Sequence, residues 1–187
     1  MIVLASGSPR RGEILTNAGI PFVREVPSDI DETPRPGEAP RDYVVRLARE
    51  KAESVEARAD RIVLGADTTV VIDGQILGKP SSPDDAARML RLLSGRSHEV
   101  ITGICLLSAH GRVPDAAITR VWFYALSASD IEAYAHSGEP MDKAGAYGIQ
   151  GLASKFVQRI DGCYFNVMGL PVGLVYAHLR TNPAFMI

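Results

Sequence analysis

The sequence predicts an α/β fold in which helices flank a mixed β-sheet. Short β-rich segments alternate with amphipathic helical segments along the chain, which favours strands interleaved with helices. The Asp73-Gly74 pair is a strong hairpin signal and indicates that some neighbouring strands are antiparallel. The 187 residues contain no repeat and no low-complexity linker, and this length suits one domain or two closely fused lobes. We therefore expect a single domain over residues 1–187.

The first third of the chain is predicted as strand, helix, strand and helix. Residues 2–5 form a short apolar strand, and residues 6–9 end it with a proline that suits the first turn of a helix. Residues 22–26 are expected to form the second strand, and residues 27–40, rich in proline and acidic side chains, form a loop. Apolar residues share one face of a predicted helix over residues 41–59.

The rest of the chain continues this alternation. Residues 62–64 and 69–72 are predicted as two strands separated by residues 65–68, and serines 81 and 82 introduce a helix that ends near Leu93. The remaining predictions are strands at 98–108, 118–126 and 155–160, a helix at 131–136 capped by Ser127 or Ser129, an irregular glycine-rich segment at 138–151, and a final helix at 169–179.

Composition excludes several classes of function. The net charge of −2 provides no strong basic field, so we expect no nucleic-acid polymer as a partner. No apolar run approaches 18 residues and no secretory signal opens the chain, so we expect no membrane span and a cytoplasmic location. The two cysteines and four histidines lack metal-ligand spacing, and neither a P-loop nor a G-x-S-x-G elbow occurs.

A candidate anion site lies where the first strand meets the first helix. Ser6, Ser8, Arg10 and Arg11 surround the start of this helix, where free backbone N–H groups and the helix dipole favour a phosphate. Hydroxyl and guanidinium groups would add further donors. A plain helix cap with solvated arginines explains the same residues equally well.

Acidic residues offer a candidate cation site. Asp29, Asp31 and Glu32 lie in the acidic loop, and carboxylate oxygens are suitable ligands for a divalent ion. A solvated loop is the simpler interpretation. Asp67 follows an apolar strand and could bind metal, activate water, or only cap a turn.

Two lysines and a glycine-rich segment complete the candidates. Lys51 and Lys79 could each place a point charge on a phosphate, although isolated lysines are usually solvated. Glycines within residues 138–151 indicate close backbone approach, and Gln150 carries the donor and acceptor needed to bind a base edge. The alternative is a surface loop without a ligand.

These motifs, in this order, resemble the Maf family of nucleoside triphosphate pyrophosphatases, also called septum formation inhibitors. The most specific are SGSPRR at 6–11, GADT at 65–68 and DKAGAYGIQG at 142–151. Further matches are the DIDE region at 29–32, RLAREKA at 46–52, GKP at 78–80 and SGRSHEVITG at 94–103. The resemblance implies a fold like the inosine triphosphate pyrophosphatases, two lobes around a cleft, and a homodimer.

The resemblance also implies an activity and a set of roles. A nucleoside triphosphate is cleaved between its α- and β-phosphates with Mg²⁺ or Mn²⁺, and the family branch is the one that prefers dTTP and UTP. The implied proton acceptor is Asp67, which would hold the metal with Glu32. The implied substrate-binding residues are Ser6, Ser8, Arg10, Arg11, Lys51 and Lys79, and the implied specificity residues are Arg11, Thr68 and Gln150. Two alternatives stay open: a housekeeping hydrolase of modified nucleotides, and a nucleotide-binding regulator of cell division.

Overall fold

The computed structural model describes residues 1–27, 30–55 and 61–185, and its central element is a seven-stranded mixed sheet. The strands are β1 (Ile2–Ala5), β2 (Phe22–Glu25), β3 (Ile62–Ile72), β4 (Gln75–Leu77), β5 (Ser97–Ser108), β6 (Gly111–Phe123) and β7 (Val157–Asp161). Their order is β2-β1-β3-β5-β6-β7, with β4 paired to β3 off this path. Strand β1 is parallel to β2 and β3, whereas β3–β4 and β6–β7 are antiparallel. The predicted mixed α/β class is confirmed.

Six α-helices are present in the described part of the chain. They are α1 (Pro9–Asn17), α2 (Pro40–Glu53), α3 (Pro83–Leu93), α4 (Ala128–Ala135), α5 (Tyr164–Met168) and α6 (Val172–Thr181). Three short 3-10 turns lie within residues 139–156, a stretch that overlaps the predicted irregular segment at 138–151. None of the helices in these ranges has the length and apolar character needed to cross a membrane.

The chain forms two compact units. The first comprises the described residues within 1–68, 102–117 and 169–185, and the second comprises 69–101 and 118–168. In the first, α2 packs its small residues Ala48 and Ala52 against β1 and β3 in a fully buried cluster. In the second, α3 and α4 pack on a larger core that includes Phe123 and Phe156.

Strand β3 differs from its prediction because residues 65–68 do not break it. The strand is continuous for 11 residues, and Gly65 pairs in parallel register with Ala5 of β1. Helix α2 lies so close to this strand that a Cβ on Gly65 would collide with the Ala48 carbonyl oxygen and lie 2.8 Å from the Ala52 nitrogen. The glycine is therefore a packing residue rather than a turn residue, and Asp67 lies within the strand, not at its end.

Other local predictions have mixed outcomes. The Asp73-Gly74 hairpin is confirmed, with φ of 51° and 76°, and so is the cap of α3, where Ser82 accepts from the Asp85 N–H. The prediction that α2 extends past Glu53 falls partly on residues 56–60, which lie outside the described residues. Strand β6 begins at Gly111 instead of 118, the final helix begins at Val172, and α5 was not predicted.

Candidate active site

The junction of β1 and α1 carries the predicted anion-binding residues. Ser8 is the N-cap residue of α1, with extended backbone and no capping hydrogen bond from its side chain. Its N–H donates to the Ser6 hydroxyl at 3.2 Å, and Ser6 is buried. Arg10 is half-buried at the same helix start. The first turn of α1 contains no acidic residue that would repel an incoming anion.

Arg11 is a buried connection between three parts of the first unit. Its Nε donates to the Gly169 carbonyl at 2.7 Å, one terminal nitrogen donates to Ser6 Oγ at 3.0 Å, and the other donates to Thr68 Oγ1 at 3.1 Å. Burial lowers the pKa of Arg11, and Asp67 acts in the opposite direction. The interpretation of Arg11 as a solvated arginine is therefore wrong.

Thr68 belongs to a hydroxyl network that the sequence did not reveal. Its Oγ1 lies 2.9 Å from Oγ1 of Thr102, a fully buried residue of β5. Gly169, with φ of 113°, lies beside the pair, and a Cβ there would be 3.4 Å from Thr68 Oγ1. Thr102 is 34 residues away from Thr68, and no local pattern links the two.

Lys51 connects the two carboxylates predicted to hold a metal. Its ammonium nitrogen lies 2.6 Å from Glu32 Oε1 and 2.6 Å from Asp67 Oδ1. The side chains of Lys51 and Asp67 are only 12% and 11% exposed, whereas that of Glu32 is 47% exposed. The close packing of α2 on β3 at Gly65 explains how a helix residue reaches Asp67. The three predicted residues are thus brought together, with Lys51 on the carboxylates.

Glu32 is positioned by two residues of α2 that sequence reasoning did not assign to the site. The Tyr43 hydroxyl donates to the Glu32 carbonyl at 2.8 Å, and Arg46 donates to the Thr33 carbonyl at 3.2 Å. Arg46 is itself held by Glu38, whose pKa it lowers to about 2. Tyr43 and Arg46 are three residues apart on one helix face, a spacing that could have suggested a shared partner.

The environment of Asp67 favours proton acceptance. Burial raises the pKa of Asp67, and this is the largest effect, while Lys51 and Arg11 lower it and Glu32 raises it. A carboxylate with a raised pKa is a stronger base than one in water. At the next position of β3, the Thr68 hydroxyl accepts a hydrogen bond from Arg11.

The donor set fits a Mg²⁺ or Mn²⁺ ion bound together with a phosphate. Glu32 and Asp67 direct carboxylate oxygens at one cationic group. No cluster of three or more histidine, cysteine or acidic side chains suited to a metal occurs within 1–27, 30–55 and 61–185. Mg²⁺ commonly uses one or two protein carboxylates and completes its shell with water and substrate phosphates. Asp31 accepts from the Thr33 N–H at 2.9 Å, and Asp29 lies outside the described residues.

Lys79 and Gln150 belong to the second unit, and both side chains are exposed. Their segments are joined, because the Gly145 N–H donates to the Gly78 carbonyl at 3.0 Å. Gly145 has φ of 67°, and a Cβ there would lie 2.6 Å from a methyl carbon of Val70. The glycine-rich segment is therefore packed on its own unit at this point, and is not a free surface loop.

Comparison with known proteins assigns the class. The sequence model of the Maf-like protein family matches residues 1–182, and the chain belongs to this family. The chain is 53% identical over 180 residues to the dTTP/UTP pyrophosphatase of Syntrophomonas wolfei, covering 94% of each protein. It is 54% identical over 186 residues to the dTTP/UTP pyrophosphatase of Geobacter metallireducens, covering 98% of this chain and 96% of that protein.

A solved structure supports the predicted fold. The Ham1 protein of Staphylococcus aureus matches with a TM-score of 0.52 and 13% sequence identity, covering 95% of this chain and 97% of that one. At this identity the likeness concerns the fold alone. The resemblance to the Maf family and the expected mixed α/β fold with flanking helices are confirmed.

Proposed function

We propose that this protein hydrolyses dTTP and UTP to the nucleoside monophosphate and pyrophosphate. It is an enzyme of the hydrolase class, since its relatives at about half identity over nearly their whole length are named as pyrophosphatases. The observation that carries the chemistry is the buried Asp67 carboxylate, held by Lys51 beside Glu32.

The proposed reaction is attack of a water molecule on the α-phosphorus. Asp67 accepts the proton of this water, the new P–O bond forms, and the bond to the bridging oxygen breaks to release pyrophosphate. Burial raises the pKa of Asp67 and so makes its carboxylate a stronger base, and such a base typically contributes about 10²–10⁴-fold.

Cations neutralise the triphosphate in this proposal. Ser6, Ser8 and Arg10 bind phosphate oxygens at the start of α1, and Lys51 and Lys79 supply further positive charge. Glu32 and Asp67 would hold Mg²⁺ or Mn²⁺, which supplies charge stabilisation for the departing pyrophosphate.

Arg11, Thr68 and Gln150 set the preference for the pyrimidine base in this proposal. The buried contacts of Arg11 support an indirect role, in which it fixes the orientation of the Thr68 hydroxyl. A site that hydrogen-bonds a base edge discriminates strongly, because the wrong base leaves buried polar groups unpaired. We also expect a homodimer and a cytoplasmic location, and light scattering of the purified protein tests the first.

The test is a product assay with dTTP, UTP, CTP, GTP and 7-methyl-GTP in Mg²⁺ or Mn²⁺. Pyrophosphate with TMP or UMP supports the proposal, whereas turnover of 7-methyl-GTP alone contradicts the base preference. Asp67→Asn should lose at least about 10²-fold in kcat. Asp84→Asn, at an exposed position of α3, is the matched control and should retain full activity.

No turnover of any nucleotide would refute the proposal and favour a nucleotide-binding regulator. A higher kcat/KM for modified pyrimidine nucleotides than for dTTP or UTP would instead favour the housekeeping role.

A further inference from the structure

One ammonium group contacts both carboxylates proposed to hold the divalent cation. Lys51 Nζ lies 2.6 Å from an oxygen of Glu32 and 2.6 Å from an oxygen of Asp67. A cation bound to these same two oxygens would occupy the region that the ammonium fills. The Lys51 ammonium and a cation bound to these oxygens would lie side by side, and two positive charges so close together repel strongly in a partly buried site. The ammonium and the divalent ion therefore compete for one place.

We propose that the Lys51 ammonium occupies the divalent-cation site in the ligand-free protein, and that cation and nucleotide must bind together to displace it. The inference rests on the proposed function and specifies how that site is regulated. The incoming cation takes the carboxylates, and the Lys51 ammonium moves to a phosphate oxygen.

The surroundings of Lys51 explain why the cation alone is insufficient. The Lys51 side chain is 12% exposed, so an ammonium displaced without a new partner would remain a largely buried, uncompensated charge. Leaving such a charge unpaired is strongly unfavourable. A phosphate supplies the missing partner, so each ligand strengthens the binding of the other by the same factor.

The chemistry of the side chain also suits an exchange of partners. Lysine presents a compact charge on a flexible four-carbon stem, with donors that reorient freely. Arg11 is the contrasting cation of the same unit, because all three of its guanidinium nitrogens have partners within the protein. Arg11 is therefore fixed, whereas Lys51 can move between carboxylates and phosphate.

The test measures Mn²⁺ binding in the absence of nucleotide, from the loss of the free-ion signal in electron paramagnetic resonance. Removing the competing ammonium with Lys51→Gln should tighten Mn²⁺ binding at least ~10-fold. Lys155→Gln, at an exposed position of the second unit, should leave the affinity unchanged. Adding Glu32→Gln to Lys51→Gln should abolish the gain.

An unchanged or weaker Mn²⁺ affinity in correctly folded Lys51→Gln protein overturns the proposal. A measurement on the unaltered protein keeps it testable if that variant does not fold. Saturating Mg²⁺ without nucleotide should leave the rate of Lys51 acetylation relative to Lys155 unchanged, as measured by mass spectrometry. Faster acetylation of Lys51 in Mg²⁺ alone would contradict the requirement that both ligands bind together. Neither readout requires turnover, so failure of the proposed hydrolysis is detected separately.

Discussion

Replacing Gly65 by alanine should disrupt both packing and catalysis. The added Cβ would collide with the Ala48 carbonyl oxygen, and would lie 2.8 Å from the Ala52 nitrogen and 3.0 Å from its Cβ. Two of these three atoms belong to the helix backbone, so no side-chain rotation relieves the overlap. Helix α2 must shift away from β3.

The size of the effect follows from this overlap. Overpacking of a dense core typically costs about 1–3 kcal/mol. For a chain of this length, each 1 kcal/mol lowers Tm by roughly 2–4 °C. The same shift moves Lys51 away from Asp67, so we expect kcat/KM to fall as well.

The assay is urea unfolding followed by circular dichroism, with turnover of dTTP measured in parallel. The matched control is Gly173→Ala in α6, where an added Cβ meets nothing within 4 Å. Alanine is favoured over glycine inside a helix by about 1 kcal/mol, so this variant should be neutral or more stable. If Gly65→Ala had the same free energy of unfolding as the unaltered protein, the close packing of α2 on β3 would be refuted.

Three further predictions concern buried polar groups. Burial lowers the pKa of His98 to about 3, so His98 stays neutral in the folded protein. The free energy of unfolding should therefore fall as the pH drops below about 6.5, by up to about 1.4 kcal/mol per pH unit. His98→Gln should flatten the pH dependence of urea unfolding, whereas exposed His110→Gln should not. Arg11→Lys leaves hydrogen-bond acceptors without donors and should lower the free energy of unfolding by about 1–3 kcal/mol. It should also lower the ratio of dTTP to GTP turnover, and an unchanged ratio would show that Arg11 does not contribute to substrate specificity. Thr102→Val removes one hydrogen bond to Thr68 and should lower the free energy of unfolding in urea by about 1 kcal/mol. An equal fall in the turnover of every nucleotide would contradict the view that Thr102 only positions the Thr68 hydroxyl.

Local signals were predictable from the sequence, and long-range contacts were not. The hairpin at residues 73–74 and the serine cap of α3 depend on neighbouring residues only, so the pattern was sufficient. The predicted separation of two strands by residues 65–68 was wrong, and the sequence could not show that Gly65 packs against Ala48 on another element.

The candidate site shows the same division. Motif resemblance supplied Lys51, Glu32 and Asp67, and the structure brings them together. The resemblance included Thr102 within the motif at 94–103 but could not reveal its contact with Thr68, because the two residues are 34 positions apart and their hydroxyls carry no sequence pattern. The placement of Lys51 between two carboxylates could not be predicted either, because sequence spacing does not show which side chains a lysine contacts.

The continuous course of β3 has a consequence for how this protein could change over time. Successive residues of a strand point to opposite sides, so Asp67 faces Lys51 on α2 while Thr68 faces Arg11. Arg11 nevertheless links the two sides of the strand, because its charge lowers the pKa of Asp67 while its side chain donates to Thr68. Substitutions at Asp67 and Thr68 should therefore have non-additive effects on the free energy of activation in a double-mutant cycle. A substitution at Thr68 that changes substrate preference is then expected to change the basicity of Asp67 as well.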